Sequence, residues 1–591
     1  MLTFIDYCAT IIGMTRTDGA MHVAKISRRH GEREYNSYLV RRSIREGRRV
    51  RHETVANVSG LPPEAIEALT LALKGVRLVP AGEAFEIVAS RKHGHVEAVL
   101  TAARRLGLAR LLDREPSRER DLCLAMIAGR VLAPGSKLGC TRQLDACTLG
   151  EELGVQGAVH DDLYGAMDWL LERQDAIEQR LARRHLKEGE LALYDVSCSY
   201  FEGRSCPLAR FGYDHGNGKR GRMQVEYGLL CDSDGRPVAI ECFAGSLKDS
   251  KTLPSQVNKL EQRFGLKRVI VVTDRGIGTK ENVTLLSETA QFAFVTALKA
   301  PQIRALVKEG CLQLSVFDEL NLAEIACEKL YPGQRLVVCR NPLVAEERAR
   351  KRSELLAGTE KDLGELKRRV QAGTLQGQVE IGLAVGAVCN RYKVKKHFQV
   401  NITDDTLTYE RKQQQIAQEA ELDGIYVIRS GRIDPDQLTA AGIVRAYKQL
   451  KEAEKGFGGL KGPLEVRPIH HRLSDRVRSH LLICMFAEYL RWHLRHAWAE
   501  LLFQDDNPRS HTDPVAKATR SPAATRKAGR RRTPQHEPCH TIQSLLDELE
   551  NRTRNTIRVT GTDATFPRLS TPTELQARAI TLINERVPQI T

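Results

Sequence analysis

Residues 191–197 read LALYDVS and residues 269–276 read VIVVTDRG. Each is an apolar strand pattern that stops or breaks at an acid, Asp195 in the first and Asp274 in the second. Val269-Ile270-Val271-Val272 contains no polar residue, which suits a strand covered on both faces. Between them, QVEYGLLC (224–231), a turn at Asp232-Ser233-Asp234-Gly235 and PVAIECFA (237–244) predict a hairpin. A polar helix over 250–263 leads into the second stretch, and FAFVTAL (292–298) follows another short helix. The order β-β-β-α-β-α-β predicts an α/β mixed sheet.

An aspartate in or at the end of a buried strand loses hydration, which is costly unless something compensates. A divalent cation compensates well, and two neighbouring strands with one carboxylate each supply part of an oxygen-rich site for Mg²⁺. Taken singly, each aspartate reads equally as a strand-ending residue that caps the next turn. Further on, Ile443, Tyr447, Leu450, Glu454 and Phe457 recur at helical steps, which puts Glu454 on the stripe facing the core. An inward carboxylate needs a partner: a metal, Lys461, or an outward pull by Lys451 or Lys455 where the helix frays at Gly456.

Outward from this centre the pattern changes. Lys25 to Glu53 carries ten Lys/Arg against four acids and, with EAIEALTLAL after Pro62-Pro63, predicts a small basic β-ribbon and helix. Helical spacing dominates from His95 to Leu186, with a break at Pro134-Gly135. Residues 301–440 hold the strand patterns LVVCR, HFQVNIT and GIYVIRS around a highly charged helix and read as a β-rich insertion. Two helices return, 443–455 and 474–502, the second with Ser474 as its expected N-cap. Pro514 to His536 has seven Lys/Arg and no acid and reads as a flexible basic linker. The expected domains are 1–94 (extension and ribbon), 95–188 (helical, DNA-binding), 189–300 (first part of the core), 301–440 (insertion), 441–503 (second part of the core) and 504–591 (linker and tail).

The 591 residues, 41% hydrophobic and 28% charged, exclude a peptide, a fibre or a wholly disordered chain. No apolar run approaches the ~20 residues that span a bilayer, so no membrane partner is expected. Fourteen scattered cysteines without a C-x-x-C pair give neither a disulfide framework nor a zinc pattern, and reduced thiols are the expectation. The net charge of +16 favours a polyanionic partner, because Lys and Arg displace phosphate counterions. Two motif matches are discarded. Gly216-Asn217-Gly218-Lys219-Arg220-Gly221 precedes a strand instead of opening a helix, so no helix N-terminus awaits a pyrophosphate. His536-Glu537-Pro538-Cys539-His540 has a proline where H-E-x-x-H requires continuous helix.

Tyr447, Leu450, Glu454 and Lys461 keep the 2, 3 and 6 spacing of a Tyr, Arg, Glu, Lys signature, with Leu450 at the Arg position. Together with YDVSCSYFEG, GLL…DGRPVAIECFAG, VVTDRG and RPIHHRLSDRVRSHLLICMFAEYL, they make the chain from Met21 to Phe503 resemble the DDE transposases of bacterial insertion sequences, in the group with a long β insertion before the Glu. The resemblance implies an RNase H-like mixed-sheet core, with Asp195, Asp274 and Glu454 as a metal-binding catalytic triad and Tyr447 and Lys461 as DNA contacts. It implies two Mg²⁺ ions, with Mn²⁺ substituting, about 3.5–4 Å apart. It implies double-stranded DNA partners, element ends and target, cut to free a 3′-OH that then attacks target DNA. A homodimer on paired ends and a cytoplasmic, nucleoid-associated location follow by the same analogy. A base-flipping aromatic is expected in the insertion; no Trp lies there, which leaves Tyr392, Phe398 and Tyr426. Met21 looks like the usual start, which makes residues 1–20 an upstream artefact or a dispensable extension. Two alternatives stand beside this reading: a nuclease of the same core that never joins ends, and a catalytically silent DNA-binding remnant.

Overall fold

The computed structural model describes residues 19–590 apart from 31–32, 48, 77–82, 214–220, 289–291, 314–316, 318–320, 432, 506–513 and 517–518. Residues 1–18 of the expected extension, and all of the discarded glycine motif except Gly221, lie outside the described residues. The chain forms two units, residues up to Ser90 with Asn555–Arg568, and Arg91–Arg554 with Leu569 onwards.

In the first unit Met21–His30 (β1), Arg33–Glu46 (β2) and Arg49–Asn57 (β3) form an antiparallel sheet, followed by helix Pro63–Leu73 (α1). Lys25 faces Tyr38, and Ser43 faces His52. Of its apolar side chains only Val40 and Ile66 are buried among the described residues, so this is a thin, open ribbon. Phe85–Lys92 (β4) follows.

The second unit starts with helices Gly94–Arg105, Leu108–Leu112, Arg118–Leu132, Lys137–Ala146, Leu149–Glu152, His160–Glu172 and Gln174–His185 (α2 to α8). Its sheet then begins with Leu191–Tyr200 (β5), Gln224–Cys231 (β6) and Pro237–Ala244 (β7). Helix Leu253–Asn258 (α9) leads to Val269–Thr273 (β8), and Lys280–Glu288 (α10) leads to Phe292–Ala297 (β9). Every residue of β8 is buried, as its uninterrupted apolar run requires.

The segment after β9 corrects the reading of a β-rich insertion. Helix Ala300–Lys308 (α11) is followed by Leu322–Ile325 (β10), Arg335–Arg340 (β11), helices Pro342–Gln371 (α12) and Gln378–Tyr392 (α13), strands Phe398–Ile402 (β12) and Leu407–Arg411 (β13), helix Gln413–Ala420 (α14) and strand Ile425–Ser430 (β14). β10, β11 and β14 do not form a separate body; they extend the main sheet to eight strands, in the order β10-β11-β14-β9-β8-β5-β6-β7. Among the described residues of this segment β12 and β13 alone form a sheet apart from the main one, and the piece between β11 and β14 is chiefly helical, with its own core around Leu363, Leu366, Ile381 and Val385. α12 is started by Asn341, whose side chain accepts from the Val344 N–H, and by Pro342 in the first turn.

Helices Ala440–Lys461 (α15) and Ser474–Ala497 (α16) close the sheet. α15 runs past Gly456 without fraying, and α16 starts at Ser474 itself with Leu473 at the cap position, so the expected N-cap is displaced by one residue. α16 is buried on nearly every face and packs against α2, α4, α7, α15 and β7. Such an all-round apolar helix belongs in the interior of a domain.

The 504–591 segment is folded where it is described. Pro522–Arg530 (α17) is capped by Ser521, and the Lys527 ammonium, buried, donates to the carbonyls of Ala499, Leu502 and Gln504. The expected flexible linker is therefore anchored by one of its own lysines. Ile542–Glu550 (α18), Thr553–Val559 (β15), Thr565–Leu569 (β16) and Glu574–Arg586 (α19) follow, with β15 pairing β4 and β16. Cys311 and Cys327, expected as free thiols, are joined by a disulfide, with Cα atoms 5.7 Å apart. Among the described residues no single helix is long and apolar enough to cross a membrane.

Candidate active site

β5 and β8 run parallel, and Tyr194 stands opposite Thr273. Asp195, within β5, and Asp274, just past the end of β8, are each one residue further on and therefore stand at the same level, where neighbouring strands lie about 4.8 Å apart. Alternation along β5 sends Leu193 into the core beneath α15 and α16 and Tyr194 into the core on the opposite face, so Asp195 points towards α15. The Tyr194 ring crosses β6 at Gly228, where a Cβ would come within 2.2 Å of its hydroxyl; this close approach requires glycine.

Asp274 is held by the turn that follows it, where the Ile277 and Gly278 N–H groups donate to its carbonyl, and by three further bonds. Its Oδ2 accepts from the Gly276 N–H at 3.3 Å, the Tyr447 hydroxyl donates to Oδ1 at 3.3 Å, and the Thr296 hydroxyl donates to its carbonyl at 3.2 Å. The loop closes at Gly278, whose carbonyl accepts from the buried Arg429 guanidinium and where a Cβ would meet Thr296 Oγ1 at 2.2 Å.

Glu454 differs from the sequence reading: it is exposed. The inward stripe of α15 runs through Ile443, Leu450, Ala453, Phe457 and Leu460, and at about 100° per residue Glu454 sits roughly 40° off Leu450, at the rim of that stripe. Its charge nevertheless acts on both Asp195 and Tyr447. Neither of the adjoining lysines neutralises it by the expected fraying, since the helix continues and Lys455 pairs with Glu452 at 2.7 Å. Tyr447, Glu454 and Lys461 recur every seven residues, which places them on one face about 10 Å apart, two turns each.

The electrostatics are those of crowded carboxylates. Asp195 is pushed up to about 7, first by burial and then by the negative charges of Asp274, Glu454 and Asp249, while its bond from the Val196 N–H, 2.8 Å, works the other way. Asp249 belongs to the cluster although the sequence reading passed over it. A Cβ on Gly276 would lie 3.6 Å from both Asp249 Oδ2 and Asp274 Oδ2. Buried Glu226 on β6 is raised to about 8 by burial, then by its hydrogen bond to Asp249 and that residue's charge. A Glu inside the otherwise apolar QVEYGLLC was the available signal. Among the described residues no three Asp, Glu, His or Cys side chains already converge on one ion. The donor chemistry still suits a hard divalent cation: oxygen ligands only, with mutual repulsion that a cation relieves.

The remaining sequence candidates are placed differently. Leu450, at the motif's Arg position, is 5% exposed and part of the core. Phe398 is buried inside the insertion, Tyr392 donates to Asp362 at 3.1 Å, and Tyr426 is half-buried against the main sheet; none presents an open aromatic face. Phe211 and Tyr213, 68% and 79% exposed just after β5, do. His536 to His540 forms turns and bridges with no helix, in keeping with its rejection as a zinc motif.

Residues 23–80 match the family described as IS1634 family transposase, N-terminal domain, and residues 202–490 match the transposase DDE domain. The second match contains Asp274, Tyr447, Glu454 and Lys461 and begins just after Asp195. A cryo-EM structure of a piggyBac transposase synaptic complex with hairpin DNA is similar at 10% identity and a TM-score of 0.30 over 77% of each chain, a likeness from which nothing is drawn. No curated protein sequence matches the chain. With both its ribbon and its aspartate-bearing sheet matched in this way, the chain belongs to the DDE transposases of the IS1634 family of insertion sequences.

Proposed function

We propose that this DNA transposase cuts and joins DNA at the cluster of Asp195, Asp274 and Glu454, on an RNase H-like core. The observation that carries the reading is the level placement of Asp195 and Asp274 on parallel strands, with the Glu454 charge acting on Asp195. Enzymes of this class depend on divalent metal, and we assign it as two Mg²⁺ that Asp195, Asp274 and Glu454 would hold; bound there, such ions would activate the nucleophile and stabilise charge on the leaving oxygen.

The chain's own residues do the rest. Tyr447 and the Gly276 N–H orient Asp274, so that one carboxylate is fixed before substrate arrives. Lys461, two turns beyond Glu454 on the same face of α15, meets a backbone phosphate of the bound DNA end. In the first step the water oxygen bonds to phosphorus and the 3′ oxygen leaves as a hydroxyl. In the second that 3′-OH attacks a target phosphodiester, whose own 3′ oxygen leaves. The Glu226–Asp249 pair, with Glu226 held protonated near neutral pH, is suited to exchange protons with water at the site.

The ribbon of the first unit bears exposed Arg28, Arg29, Arg42, Arg49 and Arg51, apt for phosphate contacts along element ends. A homodimer gripping both ends completes the reading. The test is a gel assay with labelled duplexes carrying the DNA that flanks the gene, a target plasmid, and Mg²⁺ or EDTA. Metal-dependent release of a 3′-OH end and its covalent joining to the plasmid are expected. Ends that are cut and never joined would leave a nuclease.

A further inference from the structure

A cavity of about 470 Å³ lies between α4, α5, α7 and the segment that joins α15 to α16. Its wall holds two buried cations. Lys137, in the first turn of α5, is 6% exposed, and Arg130, in the last turn of α4, is 8% exposed. Neither makes an ion pair or a side-chain hydrogen bond among the described residues. Arg467 and the imidazole of His471 share the lining, and the one acid there, Glu465, is exposed at the rim.

Burying one uncompensated charge is expensive, and burying two side by side is more so, because they also repel. The field they create is visible on His471, which is held near 3 by burial and then by Lys137, Arg476, Arg130 and His470, all of them basic groups. Lys137 itself is lowered to about 8 by burial and then by Arg130. The start of α5 adds to this: Gly135 and Ser136 line the cavity, Ser136 caps the helix through the Gly139 N–H, and the helix dipole is positive at that end. Tyr164 and His471, rings 6.1 Å apart edge to face, give flat walls beside the charges.

We infer that this cavity is a phosphate-binding pocket, in which Lys137 and Arg130 grip a phosphoryl group while Tyr164 and His471 border the sugar or base attached to it. The guanidinium suits two phosphate oxygens at once and the ammonium acts as a point charge. The pocket is separate from the carboxylate cluster. Phe201, six residues beyond Asp195, bridges Ile469 at the cavity's edge, which sets the two about 20 Å apart along the strand. A DNA strand crossing from one to the other would supply the phosphate, a source that rests on the transposase reading; a free phosphorylated ligand would use the same chemistry without it.

The test uses the full-length protein, Lys137→Met, and His470→Glu, which places an acid at the exposed edge without touching the core. Melting temperature is measured with and without inorganic phosphate, and binding to the terminal duplex is followed against salt. Phosphate should raise the wild-type melting temperature and leave both variants unmoved. Lys137→Met should melt higher than wild type in phosphate-free buffer, since it removes a buried charge that lacks a partner. If DNA is the source, its log K against log salt should lose about 0.9 in slope; an unchanged slope with the phosphate response lost assigns the pocket to a free phosphorylated ligand. A wild type indifferent to phosphate, with unchanged DNA slopes in both variants, overturns the inference. So does Lys137→Met melting lower while His470→Glu keeps the full response. These readouts do not require cleavage, so an inactive carboxylate cluster would leave them intact.

Discussion

Asp195 and Asp274 stand level on parallel neighbours, one residue past the Tyr194–Thr273 pair, and the charge of Asp274 helps to raise Asp195. Two carboxylates held this way repel until a cation or a proton arrives. Without metal the folded chain relieves this by holding a proton on Asp195, which a bound cation would displace.

Replacing Asp195 by Asn should abolish cutting and joining while DNA is still bound. Charge stabilisation worth several kcal/mol corresponds to a loss on the order of 10³-fold in rate. Single-turnover cleavage of a terminal duplex, with a mobility-shift control, measures it; comparable rates in wild type and variant would remove Asp195 from the chemistry.

Metal-free protein should lose stability as pH rises. Asp195 sits near 7 in the folded state against an ordinary value near 4, so the folded form holds its proton more tightly. That contribution is complete below about pH 4 and is lost as pH climbs through 7; Glu226, near 8, extends the loss upward. Thermal melts from pH 5 to 9 in EDTA should fall more steeply for wild type than for Asp195→Asn, and Mg²⁺ should restore the wild type at high pH. Parallel curves would contradict the shifted carboxyl.

Tyr447→Phe removes the hydroxyl that donates to Asp274 and little else. A hydrogen bond to a charged group contributes about 1.5–3 kcal/mol. The expected result is a cleavage rate lower by about tenfold or more, with DNA affinity and melting temperature near wild type. A loss of affinity at unchanged rate would make Tyr447 a DNA contact instead.

Leu450→Arg restores the residue type of the family signature and should still fail. The position is 5% exposed within the core under the sheet, and an unpaired buried charge costs about 3–5 kcal/mol. Chemical denaturation should show that loss. A stable variant with faster cleavage would show that the helix can turn this position towards DNA.

The sheet was legible because its strands are short apolar runs between turn residues, and β5, β6, β7, β8 and β9 fall where LALYDVS, QVEYGLLC, PVAIECFA, VIVVT and FAFVTA lie. The insertion was not, because LVVCR and GIYVIRS, which pair with each other, have the same pattern whether that pair stands in a separate body or joins the main sheet through β14 and β9, as it does. Helix α13 hides in QVEIGLAVGAVCNRY, where valine and glycine weaken the helical signal. Glu454 was placed one face too far inward because spacing fixes a stripe only to within its width. Asp249, in a turn, carries no periodic signal and joins the cluster only through the fold. Lys527 lies in the stretch that reads as a flexible basic linker, because no sequence pattern announces carbonyls converging on an ammonium.

The central claim is that Asp274 holds the catalytic metal, and Asp274→Cys tests it most directly. A thiolate binds Mg²⁺ poorly and softer divalent ions better. The variant should be inactive in cleavage with Mg²⁺ and regain activity in Mn²⁺, while Asp274→Ala stays inactive in both. Full activity of Asp274→Cys and Asp274→Ala in Mg²⁺ would contradict the account.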